Sequence, residues 1–322
     1  MGLFDKIKAP VFLKESSELE QQLATLKELR DSAEGELAEQ IDEEIKKIEA
    51  GLYGENSIHY ELETSHIPML ILHDLLLEYH GLTAQIDYMI FTRKHIYLIE
   101  CKNLYGNIEI NAKGDFIRTF YSGKTTRKEG IYSPITQNRR HLELIKELRS
   151  STKNFLAKAL FEKNFYNTYR SVVVIANPKT VLYDRYAKKD IRAQVIKYDQ
   201  LSDYIRKTDA SEELSLTEKE MQDLAQYFLS LHKENKTDYT AKYRNLLELE
   251  KTTGADQNSS VQSDGSKERF SDNGSVLLCP KCGAPMVKRV SNKGMYAGQE
   301  FYGCSRFPAC RSIIQIKETQ SL

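Results

Sequence analysis

The stretch QIDYMIFTRKHIYLIECKN, residues 85–103, constrains the fold more than any other. Two apolar runs, MIF and IYLI, flank a short polar break, the pattern of an antiparallel hairpin. With the turn centred between Arg93 and Lys94, Phe91 opposes Ile96, Met89 opposes Leu98 and Asp87 opposes Glu100. Opposed residues share a face, and the two-residue period adds Lys102 to it. This register holds for a two- or four-residue loop and fails for an odd one, and Arg-Lys is not favoured turn chemistry. Two opposed carboxylates repel, so at partly buried positions they need a cation or a shifted pKa. One lysine balances one of them, whereas a divalent metal taking oxygen ligands, such as Mg²⁺, balances both. The residues alone leave two readings, a metal-assisted hydrolytic site or a surface ion-pair cluster.

Flanking segments predict a mixed fold. Strands are expected at 69–78, 107–111 and 115–121, with a helix at 134–149 that Ser133 caps and Pro134 opens. SVVVIAN (171–177) is continuously apolar, as in a buried sheet centre, and AQVIKYD (193–199) supplies another strand. Intermixed strands and helices place the chain in the α/β or α+β class. Around GENSIHYEL, Glu55, Ile58 and Leu62 fall on one helical face, so Glu55 ends a stripe directed at the sheet. In the helix after Pro134, Gln137, His141, Leu144 and Leu148 form a second inward stripe.

The two ends differ from this body. Residues 15–50 show helical periodicity, with Leu19, Leu23 and Leu26 in one segment and Leu37, Ile41, Ile45 and Ile48 in another, separated at Gly35. They suit a helical hairpin on the body or a self-association coil that would support a homo-oligomer. GADQNSSVQSDGSKERFSDNGS (254–275) is nearly devoid of apolar residues and predicts a flexible linker. Beyond it, Cys279, Cys282, Cys304 and Cys310 form C-x2-C and C-x5-C pairs, a spacing that places four thiolates around one tetrahedral Zn²⁺. A module of this size lacks a sizeable core, so the metal would supply much of its folding free energy. The expected division is therefore 1–50 N-terminal helices, 51–235 main domain, 236–275 helix end and linker, and 276–322 zinc ribbon.

Charge sharpens the contrast. Lys/Arg and Asp/Glu number 46 each, yet residues 279–322 hold seven Lys/Arg against two Asp/Glu, leaving 39 against 44 on residues 1–278. A basic tail on an acidic body points to a polyanion partner. Lys288, Arg289 and Arg306 can hold phosphates while Phe301, Tyr302 and Phe307 stack on unpaired bases. The stretch FYGCSRFPAC resembles the C-terminal zinc fingers of bacterial type I topoisomerases, which implies single-stranded DNA binding. A protein-binding ribbon is the alternative.

GLYGENSIHYEL, AQIDYMIF, YLIECKNLYGNIEI and YSPITQNRRHLELI, in this order and spacing, resemble the nuclease-related domain, a branch of the PD-(D/E)xK nucleases. The likeness covers residues 50–150 and extends toward 235, and its pairing with a topoisomerase-type finger resembles a bacterial domain arrangement. It implies a restriction-endonuclease-like mixed sheet flanked by helices. It further implies that Asp87 and Glu100 ligate Mg²⁺ or Mn²⁺ with the carbonyl of Cys101, and that Lys102 orients or activates the attacking water. Glu55 and Gln137 match the acidic residue of the first helix and a helical glutamine of such enzymes. Ile86 stands where the wider family often has proline, and the Cys101 side chain is expected on the opposite, apolar face.

The expected function is a metal-dependent DNA nuclease acting in DNA processing, repair or defence. A non-catalytic DNA-binding or scaffold protein on the same fold is the alternative. No run of eighteen apolar residues and no secretory core occurs, Lys6 stands where a myristoylation signal needs Ser or Thr, and cysteine usage suits a reducing compartment. A cytoplasmic protein without a membrane partner is expected.

Overall fold

A computed structural model of the chain describes residues 6–122, 125–211, 216–235 and 237–255, with 277, 279, 281, 284–290, 300–306 and 310–315 of the C-terminal module. The chain divides into two units, residues 1–20 with 47–235 and residues 21–46 with 236–322. The first elements are β1 (Pro10–Lys14), α1 (Glu18–Arg30), α2 (Gly35–Glu63), β2 (Met69–Tyr79), β3 (Leu82–Phe91) and β4 (Ile96–Lys102). They are followed by β5 (Asn107–Ile110), β6 (Phe116–Ser122), β7 (Thr125–Ile131), α3 (Pro134–Ser150), α4 (Phe155–Thr168) and β8 (Tyr169–Ile175). Then come β9 (Leu182–Tyr183), α5 (Lys189–Arg192), β10 (Val195–Lys197), α6 (Leu201–Ala210), α7 (Glu218–Ser230) and α8 (Ala241–Ala255).

A six-stranded mixed sheet, ordered β1-β2-β3-β4-β8-β10, forms the centre of the first unit. Successive residues face opposite sides, which explains two apolar layers. Met89, Phe91, Ile96 and Leu98 pack with Leu142 and Ile145 of α3 on one side. Tyr88, Ile90, Tyr97 and Ile99 pack with Ile58 and Leu62 of α2 on the other. The mixed α/β class expected from the sequence is the one the chain adopts.

Ser133 caps α3 as predicted, its hydroxyl accepting from the Thr136 N–H at 3.3 Å with Pro134 in the first turn. Asn138, fully buried, donates to the carbonyls of Leu98 (2.8 Å) and Val172 (3.4 Å), tying α3 to adjacent strands. A second sheet, β7-β6-β5-β9, packs Ile108, Ile110 and Phe116 against Val173 and Ile175 of β8.

Several elements depart from the sequence reading. α2 runs unbroken for 29 residues, joining the helix expected near 37–50 to the one expected around GENSIHYEL. Its interior Gly54 lets the helix approach the sheet: a Cβ there would lie 2.8 Å from Asn103 Cβ and 3.0 Å from Cys101 Sγ. Gly35 (φ +56°) does stand between α1 and α2. β1 was not expected, because its half-buried residues show no alternation and its partner β2 is distant in sequence. β7 reads TTRKEGI and owes its form to pairing with β6.

In the second unit, β11 (Met286–Val290), β12 (Glu300–Cys304) and β13 (Ile313–Gln315) form an antiparallel sheet. Among the described residues, no helix is long and apolar enough to cross a membrane. The 254–275 linker reading lies largely outside the described residues.

Candidate functional site

The β3–β4 ladder pairs Tyr88 with Ile99, Met89 with Leu98, Ile90 with Tyr97 and Phe91 with Ile96, the register the hairpin reading required. Past Ile99 the strands part, and β4 continues with β8 alone, Glu100 beside Val173 and Lys102 beside Ile175. On its other edge β3 meets an irregular row. Between the pairs His73–Tyr88 and Leu75–Ile86 stand Asp74 and Asp87, and Asp74 takes φ +52°. Left-handed backbone is uncommon for a residue with a side chain, and its groups here are held: Asp74 accepts from the Glu18 N–H at 2.7 Å and Gln85 Nε2 at 2.9 Å. Lys14 Nζ donates to the carbonyls of His73 and Asp74, both at 2.8 Å.

Freed from regular pairing, Asp87 accepts the Cys101 N–H on Oδ2 at 2.6 Å. It therefore lies beside Glu100 and braces β4. Lys102 Nζ meets Glu100 Oε1 at 2.6 Å. The cleft so formed, about 180 Å³, is lined by Asp87, Glu100, Lys102, Glu55 and Gln137, with Gly51, Gln85, Cys101 and Asn103. All five predicted catalytic side chains thus border one cavity. Its size suits a hydrated ion or a phosphate group better than a large organic ligand.

Electrostatics in this cleft follow from burial. Asp87 is pushed well above the ordinary carboxylate range, by burial first and by the Glu100 charge second. Glu100, 1% exposed, is also raised by burial, with Lys102 opposing. For Lys102, burial works against the charge, but the attraction and hydrogen bond of Glu100 outweigh it and hold the ammonium above its usual value. Lys102 is accordingly a cation at neutral pH. His141 Nδ1 lies 3.8 Å from Glu100 Oε2, and burial together with the Lys102 charge lowers its pKa to about 4, leaving a neutral ring.

Glu55 approaches from α2, and its Oε2 is already engaged, 3.0 Å from His73 Nε2 and 3.2 Å from Ser17 Oγ. His73 Nδ1 faces the Glu15 carbonyl at 2.8 Å, so both ring nitrogens meet acceptors and the ring suits the imidazolium form. Ser17 and Asp74 were not singled out from the sequence, where nothing local marks them, and His73 reads there only as one of several scattered surface or core histidines. The Cys101 thiol packs against the α2-side apolar cluster and is raised well above its ordinary value by burial, the inert face expected of it.

A hard divalent cation fits part of this donor set. Glu100 Oε2 is buried and has no hydrogen-bond partner among the described residues. It stands with Asp87 in a cleft of oxygen donors, the chemistry that Mg²⁺ takes. Among the described residues, however, only Cys279, Cys304 and Cys310 form a group of three or more ligating side chains whose atoms lie within 4.8 Å of one another.

Those thiols define the second site. Cys279 Sγ and Cys310 Sγ are 3.7 Å apart, close to the roughly 3.8 Å edge of a tetrahedron with 2.3 Å Zn–S bonds and far from a disulfide. The Arg306 N–H donates to Cys304 Sγ at 3.4 Å, a bond that stabilises a thiolate. Cys282 and Phe307 lie outside the described residues. The β11–β12 register sets Lys288 opposite Tyr302 and Arg289 opposite Phe301, so the predicted DNA-contacting residues divide between two faces. Lys288 also pairs with Glu300 at 2.7 Å.

The cleft and the thiol cluster each fall within the span of a family model. Residues 50–176 match the nuclease-related domain. That nuclease-related domain spans the end of α2 through β8 and contains every residue lining the cleft. Residues 276–319 match the topoisomerase DNA-binding C4 zinc finger, a span that includes all four cysteines. No curated protein and no solved structure gave a significant match.

Proposed function

We propose that the protein is a metal-dependent DNA nuclease that hydrolyses phosphodiester bonds at the Asp87–Glu100–Lys102 cleft and uses its zinc ribbon to hold DNA, single strands in preference. The observation that carries this reading is the orphaned Glu100 Oε2 beside Asp87 and Lys102, inside a nuclease-related domain. Asp87, Glu100 and the Cys101 carbonyl would hold Mg²⁺ or Mn²⁺, which supplies Lewis-acid stabilisation of phosphoryl charge. The protein's own groups do the rest. Cys101 N–H and Lys102 Nζ fix the two carboxylates, so little reorganisation remains when substrate arrives. Charged Lys102 acts as a hydrogen-bond donor to the attacking water or to phosphate oxygen rather than as a base. Gln137, at the opening turn of α3, offers an amide to the same water or phosphate. Covalent linkage to a DNA-binding ribbon raises the local concentration of substrate.

Full-length protein assayed with Mg²⁺ or Mn²⁺ on single-stranded, flapped and duplex DNA tests this. Lys102→Ala should cleave at least about 100-fold more slowly. If wild type and Lys102→Ala behave alike on every substrate, the catalytic reading fails. The engagement of Glu55 by His73 and Ser17 favours a second reading, a DNA-binding scaffold on a nuclease fold, and the same assay separates the two.

A further inference from the structure

The second sheet carries an unusual surface. Tyr105, Tyr121, Tyr132, Tyr183 and Tyr186, on this sheet and its connections, are each more than half exposed. The segments containing them, 104–132 and 177–192, hold ten Lys/Arg against five Asp/Glu, whereas the rest of residues 1–278 holds 29 against 39. The exposed aromatic rings therefore sit on the basic part of an otherwise acidic body.

Each face of the β6–β7 hairpin sets a ring beside a cation. Phe120 is directly opposite Arg127, and the Arg118 guanidinium lies 4.3 Å above the Phe120 ring, held there by Glu129 at 2.6 Å. On the other face Tyr121 is diagonal to Lys128, which is itself 3.8 Å from Glu109. From Arg127, β7 runs on to Ile131, about 14 Å of extended chain, and Tyr132 follows it. Arg140 of α3 covers Tyr132 at 5.5 Å, one helical turn beyond Gln137, which lines the cleft.

Exposed rings interleaved with cations are what a single nucleic-acid strand requires, because its bases are free to stack and its phosphates are regularly spaced. A duplex hides the ring faces of its bases. We propose that the β6–β7 hairpin and Tyr132 form a second nucleic-acid surface, distinct from the zinc ribbon, that receives a single DNA strand and leads it to the Gln137 side of the cleft. The destination of the strand rests on the nuclease reading; its binding does not.

Full-length protein irradiated with a single-stranded oligonucleotide containing 5-iododeoxyuridine, without added divalent cation, provides the test. Adducts mapped by mass spectrometry should fall on Tyr121 or Tyr132 as well as on the ribbon. The combined change Tyr121→Ala, Arg127→Ala and Tyr132→Ala should weaken single-strand binding about tenfold by fluorescence anisotropy. Should its thermal melt differ from wild type, Arg127→Glu alone serves as the second variant, with weakened binding again expected. Adducts confined to residues 276–319 with wild-type affinity in the variants would overturn the proposal, as would a duplex competing better than a single strand. Adducts on the hairpin in a protein that cleaves nothing with Mg²⁺ or Mn²⁺ would remove the nuclease reading and leave this one standing.

Discussion

The backbone N–H of Cys101 donates a 2.6 Å hydrogen bond to Oδ2 of Asp87. This contact replaces the ladder bond that β3 no longer offers once the strands part after Ile99. One carboxylate thus closes a gap in the backbone pairing and lines the cleft, and these two roles respond differently to mutation.

Asp87→Asn keeps an acceptor for Cys101 and removes the charge. The folded pKa of Asp87 is raised, so its favourable contribution is full below about pH 3.9 and is lost as pH rises through the folded value. At pH 8 the variant should therefore be more stable than wild type by about 1–2 kcal/mol, converging toward pH 4, while cleavage is abolished. Urea unfolding across this range checks it, and equal stability at pH 8 would show that burial does not strain Asp87.

His73 titrates with the opposite chemistry but the same sign. Burial opposes its charge, yet the Glu55 hydrogen bond, the Glu15 carbonyl and the charges of Glu55 and Asp74 prevail, so its pKa is raised. Its stabilising contribution is complete below about pH 6.5 and lost as pH climbs through the folded value. Wild type should lose about 1 kcal/mol over that interval, and His73→Gln should show no such step. An NMR titration placing His73 below 6.5 would refute the charged-pair assignment.

Gly54→Ala inserts a methyl where Asn103 Cβ, Cys101 Sγ and Ala176 Cβ stand 2.8, 3.0 and 3.2 Å away. α2 must shift, carrying Glu55 with it. A loss of about 1–3 kcal/mol in unfolding free energy is expected, together with slower cleavage. Unchanged stability would mean that the helix is not seated on β4 as described.

The ribbon should bind one zinc ion per chain, measurable by metal analysis of the purified protein. Cys304→Ser should release it and lower affinity for single-stranded DNA, because the metal supplies much of the module's folding free energy. Zinc content near one in this variant would contradict tetrahedral thiolate ligation.

Much of the cleft was legible because strand and helix periods are short-range. Parity relates Glu100 to Lys102 and sets the hairpin register that brings Asp87 to their end of the ladder, helical stripes direct Glu55 and Gln137 inward, and cysteine spacing identifies the ribbon. What periodicity could not show depends on contacts between distant segments. His73 reaches Glu55 across separate elements, β1 is a strand because β2 lies alongside it, and Gly54 is explained by what touches it. Asp87 reaches Cys101 from the row where Asp74 takes left-handed backbone, which composition does not encode. Lys288 and Arg289 are neighbours in sequence, and strand alternation sends them to opposite faces.

The row of Asp74 and Asp87 also governs how freely these strands can vary. Leu70 and Leu72 join the same apolar cluster as Leu75 and Leu77, and Ala84 and Ile86 the same one as Met89 and Phe91, so both strands change phase at this row. An insertion or deletion of one residue elsewhere in either strand would invert a whole half-strand, whereas here the inversion is already built in and matched by the partner. The hairpin therefore behaves as two separately phased blocks joined at a polar seam. Substitutions that keep each block's own alternation can accumulate on either side of it without disturbing the carboxylate that the seam delivers to the cleft.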